Sequence, residues 1–130
     1  MTTTLLRRLI PACVIAAAAA LMAIPAASAK DGDVLVRGTC TKASASKLKL
    51  SEEDGRIEVD FEVDQNRNGV RWTIVLRRPS AILVRTTRVT RAPSGSFELR
   101  RVVADLAGSD RISARATSPS GEVCRATAAF

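Results

Sequence analysis

From Arg56 to Asp64 the chain alternates without a fault. Ile57, Val59, Phe61 and Val63 are apolar, and Glu58, Asp60, Glu62 and Asp64 between them are acidic. A period of two belongs to a β-strand with one face in a core and the other in water. Asp54-Gly55 stands just before it, a pair that favours the two-residue type I′ hairpin turn. Such a turn sets Leu50 opposite Val59 and Leu48 opposite Phe61, with Lys49 opposite Asp60 and Lys47 opposite Glu62. Apolar face, charge pattern and turn chemistry therefore demand one register.

The same reasoning predicts strands at Val34–Cys40, Val70–Arg78, Ala81–Thr90, Ser96–Val103, Asp110–Thr117 and Glu122–Ala128. Turn-forming clusters separate them: Asn68-Gly69, Pro79-Ser80, Ala92-Pro93-Ser94-Gly95, Ala107-Gly108-Ser109 and Ser118-Pro119-Ser120-Gly121. With the hairpin pair this makes eight strands, and no stretch beyond residue 29 has helical periodicity. Short strands at this spacing make a β-sandwich or a small barrel.

Residues 1–29 read as a helical secretory signal peptide. Arg7-Arg8 precede an apolar run from Leu9 to Ile24, followed by Pro25 and Ala27-Ser28-Ala29. The run holds 16 residues, short of the roughly 20 that span a bilayer, and cleavage is expected between Ala29 and Lys30. Only Leu9 to Ala12 separate Arg8 from Cys13, and Pro11 interrupts them, so Cys13 is not read as a lipidation site. The remaining domain, residues 30–130, carries 18 Lys+Arg against 13 Asp+Glu, a net charge of +5. It retains Cys40 and Cys124, for which an oxidising compartment leaves one intramolecular pairing. A loop of that length closed by a disulfide is worth about 4.5 kcal/mol in the chain-entropy model.

Trp72 sits early in the strand Val70–Arg78, that strand turns tightly into the next, and Asp105–Asp110 precede a strand that returns through Pro119-Ser120-Gly121. In these features the chain resembles an immunoglobulin-like sandwich. The resemblance implies a seven- to eight-stranded all-β domain whose first and last strands lie close enough for the Cys40–Cys124 bond. It departs from that family in having no Tyr for a tyrosine corner, and in a cysteine pair that joins the end strands. Gly38-Thr39-Cys40, Lys47-Leu48-Lys49-Leu50, Gly95-Ser96-Phe97 and Gly121-Glu122-Val123-Cys124 also resemble stretches of small secreted actinobacterial proteins, which implies secretion but no activity.

The chain has no His, which removes imidazole bases, Ser-His and Cys-His pairs and His metal ligands. No catalytic residues and no cofactor are expected, and the leading expectation is a secreted, non-catalytic binding or structural module of the cell surface. A protease inhibitor presenting Val89–Gly95, with Arg91-Ala92-Pro93, or a small-ligand carrier is the alternative. Asp64-Gln65-Asn66-Arg67-Asn68-Gly69 matches the opening of a calcium loop, with Asp64, Asn66 and Asn68 as candidate ligands, but Val75 stands where a bidentate Glu is needed. A polar turn is the simpler account. The row Glu58, Asp60, Glu62 and Asp64 reads as an ion-pair ladder with Lys47 and Lys49, and Ser44-Ala45-Ser46-Lys47 as a chance Ser-x-x-Lys. Residues 65–130 hold 12 Arg and no Lys against Glu98, Asp105, Asp110 and Glu122. A polyanion face built from Arg85, Arg88, Arg91, Arg100 and Arg101 is therefore expected, its partner an anionic cell-wall polymer or another extracellular protein. The four aromatics, Phe61, Trp72, Phe97 and Phe130, form no stacking platform, so nucleic acid is not an expected partner. Mass analysis of the secreted product should give an N-terminus at Lys30 and no alkylatable thiol; two free thiols would overturn the pairing.

Overall fold

The hairpin read from Asp54-Gly55 is present residue for residue. In the computed structural model, which describes residues 32–130, β3 (Ala45–Glu53) pairs with β4 (Arg56–Asp64). Leu48 stands opposite Phe61, Leu50 opposite Val59, Lys47 opposite Glu62 and Lys49 opposite Asp60. Asp54 and Gly55 have φ of 49° and 74°, the left-handed pair that a type I′ turn needs. The expected leader, its expected Ala29–Lys30 cleavage point and Cys13 lie outside the described residues.

The remaining strands are β1 (Val34–Arg37), β2 (Thr39–Cys40), β5 (Arg71–Arg78), β6 (Ala81–Val89), β7 (Ser96–Ala104), β8 (Arg111–Thr117) and β9 (Val123–Ala129). They form two antiparallel sheets. The first has the order β1-β3-β4-β7, the second β2-β9-β8-β5-β6. Predicted boundaries differ from these by a residue or so, with one larger departure. Val34–Cys40, read as a single strand, is two strands in different sheets, which raises the total from eight to nine. The reason lies at Gly38, where the chain leaves β3 for β9. A Cβ there would stand 2.2 Å from Ser46 Oγ and 2.5 Å from the Arg125 carbonyl oxygen, so no other residue lets the backbone pass between the sheets. Two residues later Cys40 lies opposite Cys124 in the β2–β9 ladder, at a Cα separation of 4.0 Å, and the two are joined by a disulfide.

The inner faces of the sheets meet in one core. Leu48, Leu50, Ile57, Val59, Phe61, Val63, Phe97 and Leu99 come from the first sheet; Trp72, Ile74, Leu76, Ile112 and a row of alanines come from the second. Phe97 joins the layers, with its ring centroid 6.4 Å from Phe61 and 6.0 Å from Trp72. Trp72 is fully buried, and its Nε1–H donates to Gln65 Oε1 at 3.1 Å, so the one polar atom of that side chain is satisfied.

One inward position on β5 is charged. Arg78 continues the series Trp72, Ile74, Leu76 and meets Asp110, which is 4% exposed, at 2.8 Å. Arg78 also donates to the Ala104 carbonyl, while the second Asp110 oxygen accepts the Leu106 N–H at 2.8 Å. Burial pushes the Asp110 carboxyl up, but the hydrogen bonds from Leu106 and Arg78 outweigh it and hold the pKa below the ordinary aspartate range. A carboxylate with a depressed folded-state pKa contributes stability that is present above about pH 4 and lost as the pH falls through the folded value. Asp110→Ala should therefore cost about 3 kcal/mol in urea unfolding at pH 7, since the largely covered Arg78 guanidinium loses its carboxylate partner and keeps only the Ala104 carbonyl. Its deficit should shrink at a second pH below the ordinary aspartate value of about 4. Equal deficits at both pH values would refute this role.

Candidate functional site

Alternation on the second sheet sends every second residue to an outer face. On β5, Trp72, Ile74 and Leu76 are buried, so Arg71, Thr73, Val75 and Arg77 point out. The ladders extend that face to Arg85 and Thr87 on β6, to Arg111, Ser113, Arg115 and Thr117 on β8, and to Arg125 and Thr127 on β9. Six arginines thus share one surface, Arg71, Arg77, Arg85, Arg111, Arg115 and Arg125, and all are exposed. None of the five strands of this sheet contains Asp or Glu. Among the described residues none of the six forms a salt bridge.

The arrangement is repulsive. At the level of Val75 the ladder runs Arg85, Val75, Arg115, Arg125, Thr39 across the sheet, which places Arg115 directly opposite Arg125. Like charges so opposed are destabilising. The outward residues of β5 are short at their centre, Thr73 and Val75, while longer arginines rise from β6 and β8 on either side. The result is a groove of about 520 Å³ bounded by Arg71, Thr73, Val75, Arg85, Arg115 and Thr117, with Pro119 at one end. It continues past Val75 into a second depression of about 200 Å³ reaching Arg77, Ile82 and Ser113.

Of the five arginines expected to form a polyanion face, only Arg85 belongs to this surface. β6 and β7 follow one another in sequence but stand in different sheets. Arg88 lies opposite Trp72 and Arg101 opposite Val59, both on the core side of edge strands. Arg91 lies in the β6–β7 turn, its N–H donating to the Ser96 carbonyl at 2.9 Å. Arg100 faces out from the other sheet, within 3.8 Å of Glu58 and 3.4 Å of both Asp60 and Glu98. The arginines that do gather were legible only as alternation, in Arg71-Trp72-Thr73-Ile74-Val75-Leu76-Arg77 and in Arg111-Ile112-Ser113-Ala114-Arg115.

The outer face of the first sheet holds the carboxylate row, and cations meet it. Lys47 pairs with Glu62 at 3.2 Å, as the register implies. Lys49 turns instead to Asp33, 2.9 Å away, and Arg100 on β7 takes the place expected of it beside Asp60. Asp33 accordingly raises the Lys49 pKa, and Glu58 and Asp60 raise that of Arg100. Asp60 pushes the Glu98 carboxyl up, with partial burial in the same direction, against the opposing pull of Arg100.

The remaining sequence candidates fall into structural roles. Asp64 Oδ1 accepts the Asn66 N–H at 3.0 Å, and Asn66 has a φ of 55°, which is the geometry of a polar turn. Asn68 is an exposed residue of the same turn, and among the described residues no group of three or more His, Cys, Asp or Glu is placed to hold a metal ion. Ser44 donates its hydroxyl to buried Glu122 at 2.7 Å, and Lys47 is in β3. The Val89–Gly95 segment folds back on itself: the Gly95 N–H donates to the Arg91 carbonyl at 2.8 Å.

No family model, no curated protein and no solved structure matches the chain. The electrostatics of the arginine face can be measured without a ligand. Arg125→Gln should remove the repulsion with Arg115 and raise the melting temperature by about 2–4 °C at low salt, from a gain of about 0.5 kcal/mol. In 0.5 M NaCl the Debye length is on the order of 4 Å, and the gain should nearly vanish. A lower melting temperature for the variant would contradict the repulsion.

Proposed function

We propose that the protein is a secreted, non-catalytic module that attaches to anionic polymers of the cell surface or its surroundings. The observation that carries this reading is the six-arginine outer face of the second sheet, with no acidic residue in any strand of that sheet. An uncompensated field of one sign destabilises the free protein and is relieved by a ligand of the other. Guanidinium groups suit phosphate, sulfate and carboxylate because their paired N–H donors match paired oxygens. The disulfide is consistent with an extracellular site of action.

An immunoglobulin-like lineage for the sandwich is part of the proposal. In its favour, β6-β5-β8-β9 run in the order that the C′, C, F and G strands take in variable-type domains. The β3–β4 hairpin is a departure, because that fold places a strand distant in sequence beside its B strand. The non-catalytic reading draws on the engagement of the reactive groups: cations meet the carboxylate row, Ser44 is held by Glu122, and both domain cysteines are oxidised.

Chromatography on immobilised heparin and sedimentation with purified cell wall test the reading. The protein should be retained at low salt and released progressively as salt rises, because binding by charge releases counterions. Passage through both at low ionic strength would overturn it.

A further inference from the structure

We propose that the groove over β5 is a clamp for a linear phosphodiester-linked polyol chain, gripped from both sides by Arg85 and Arg115 and engaged at its ends by Arg71 and Arg77. This rests on the anionic-polymer reading above and adds a ligand class, a direction and a minimum length.

The width comes from the ladder. Arg85 and Arg115 flank Val75 on the two neighbouring strands, so their Cα atoms are about two strand spacings, or roughly 10 Å, apart. Between them the floor is Val75 and Thr73. That slot admits a single thin chain with a guanidinium on either side of it. The length comes from β5 itself. Arg71 and Arg77 point to the same face at the two ends of the strand, roughly 20 Å apart at about 3.3 Å per residue. A polymer lying along β5 reaches all four arginines, whereas a single anionic unit reaches only one or two.

The chemistry of the walls narrows the ligand. Trp72, Phe61 and Phe97 are buried and Phe130 is half-buried, so the face offers no aromatic surface on which nucleobases stack. Recognition is left to charge, to hydroxyls and to the apolar floor at Val75 and Ile82. Thr73 lies between Thr87 and Thr117 in the ladder, and Arg77 lies beside Ser113. One hydroxyl-rich level, at Thr73, thus lies along the groove between the arginine of the Arg71 level and the arginine pair of the Val75 level. Hydroxyl side chains donate and accept, which suits the free hydroxyls of a polyol, and the arginines suit the phosphates between them.

The test uses glycerol phosphate oligomers of increasing length, with glycerol 3-phosphate as the monomer and oligothymidylate as a control polymer. Binding is followed by calorimetry. Two double variants carry the same change of charge on the same face: Arg85→Gln with Arg115→Gln inside the groove, and Arg111→Gln with Arg125→Gln outside it. All four side chains are exposed, and a circular dichroism spectrum in the near ultraviolet, reporting on buried Trp72, verifies that each variant is folded. Affinity should climb with oligomer length until the chain spans the groove and then level off. The inner pair should lose about a hundredfold, as expected for two charge-assisted contacts, and the outer pair about fivefold or less. Equal losses in the two pairs would abolish the clamp while leaving the anionic-polymer reading intact. So would monomer binding as tight as that of the oligomers, or tighter binding of oligothymidylate at equal phosphate count. Absence of binding to any of these polymers, to heparin and to cell wall would remove both.

Discussion

Each long strand of this domain carries its apolar residues mainly on one side, and the structure depends on those sides meeting. A sheet with one oily face is not stable in water until something covers it. Here the cover is the other sheet, and Phe97 is one residue through which the layers touch, against Phe61 within its own sheet and Trp72 across the gap. The chain has only four aromatics, and three of them occupy this seam. Ala114, Ala116 and Ala126 are buried in the same core, so a bulky side chain at any of them would push against a space already filled.

Once the inner faces are committed to the core, the outer faces are free to differ, and they do. The first sheet turns out a mixed row in which Lys47 pairs with Glu62, Lys49 with Asp33, and Arg100 stands among Glu58, Asp60 and Glu98. The second turns out arginines among neutral side chains, with no Asp or Glu in any of its strands. Exposed ion pairs of the first kind contribute at most about 1 kcal/mol each, so the first face is close to neutral in its effect on stability. The second face works against folding, because Arg115 and Arg125 oppose each other and, among the described residues, neither is in a salt bridge. Stability for such a sheet must come from its other side and from the disulfide that ties β2 to β9. A sheet edge held by two residues of β2 alone would separate readily; Cys40–Cys124 prevents that.

The hairpin was legible down to individual residue pairs, because turn type, apolar alternation and charge complementarity all act within the 20 residues from Ala45 to Asp64. Strand positions elsewhere were legible to within a residue or so for the same reason. Gly38 was not. Nothing in Val34–Cys40 interrupts the strand pattern, and the need for a residue without a side chain arises only from Ser46 and Arg125, which the fold brings to that point. The arginine face was misplaced by a related limit. Arg85, Arg88, Arg91, Arg100 and Arg101 are neighbours in sequence, but the connection from β6 to β7 crosses from one sheet to the other and scatters them. Arg71, Arg115 and Arg125 come together from three strands that the chain visits at separate times.

By itself, then, the sequence determined which side of each strand faces the core, where the turns fall, and which two cysteines are available to one another. These follow from period, local turn chemistry and composition, all of which act over short stretches of chain. Tertiary structure alone decided which strands share a sheet, where the chain changes layers, and hence which outward side chains become one surface. Sheet partnership depends on how the apolar faces of distant segments cover one another, and the charges of an outer face are carried along by that packing.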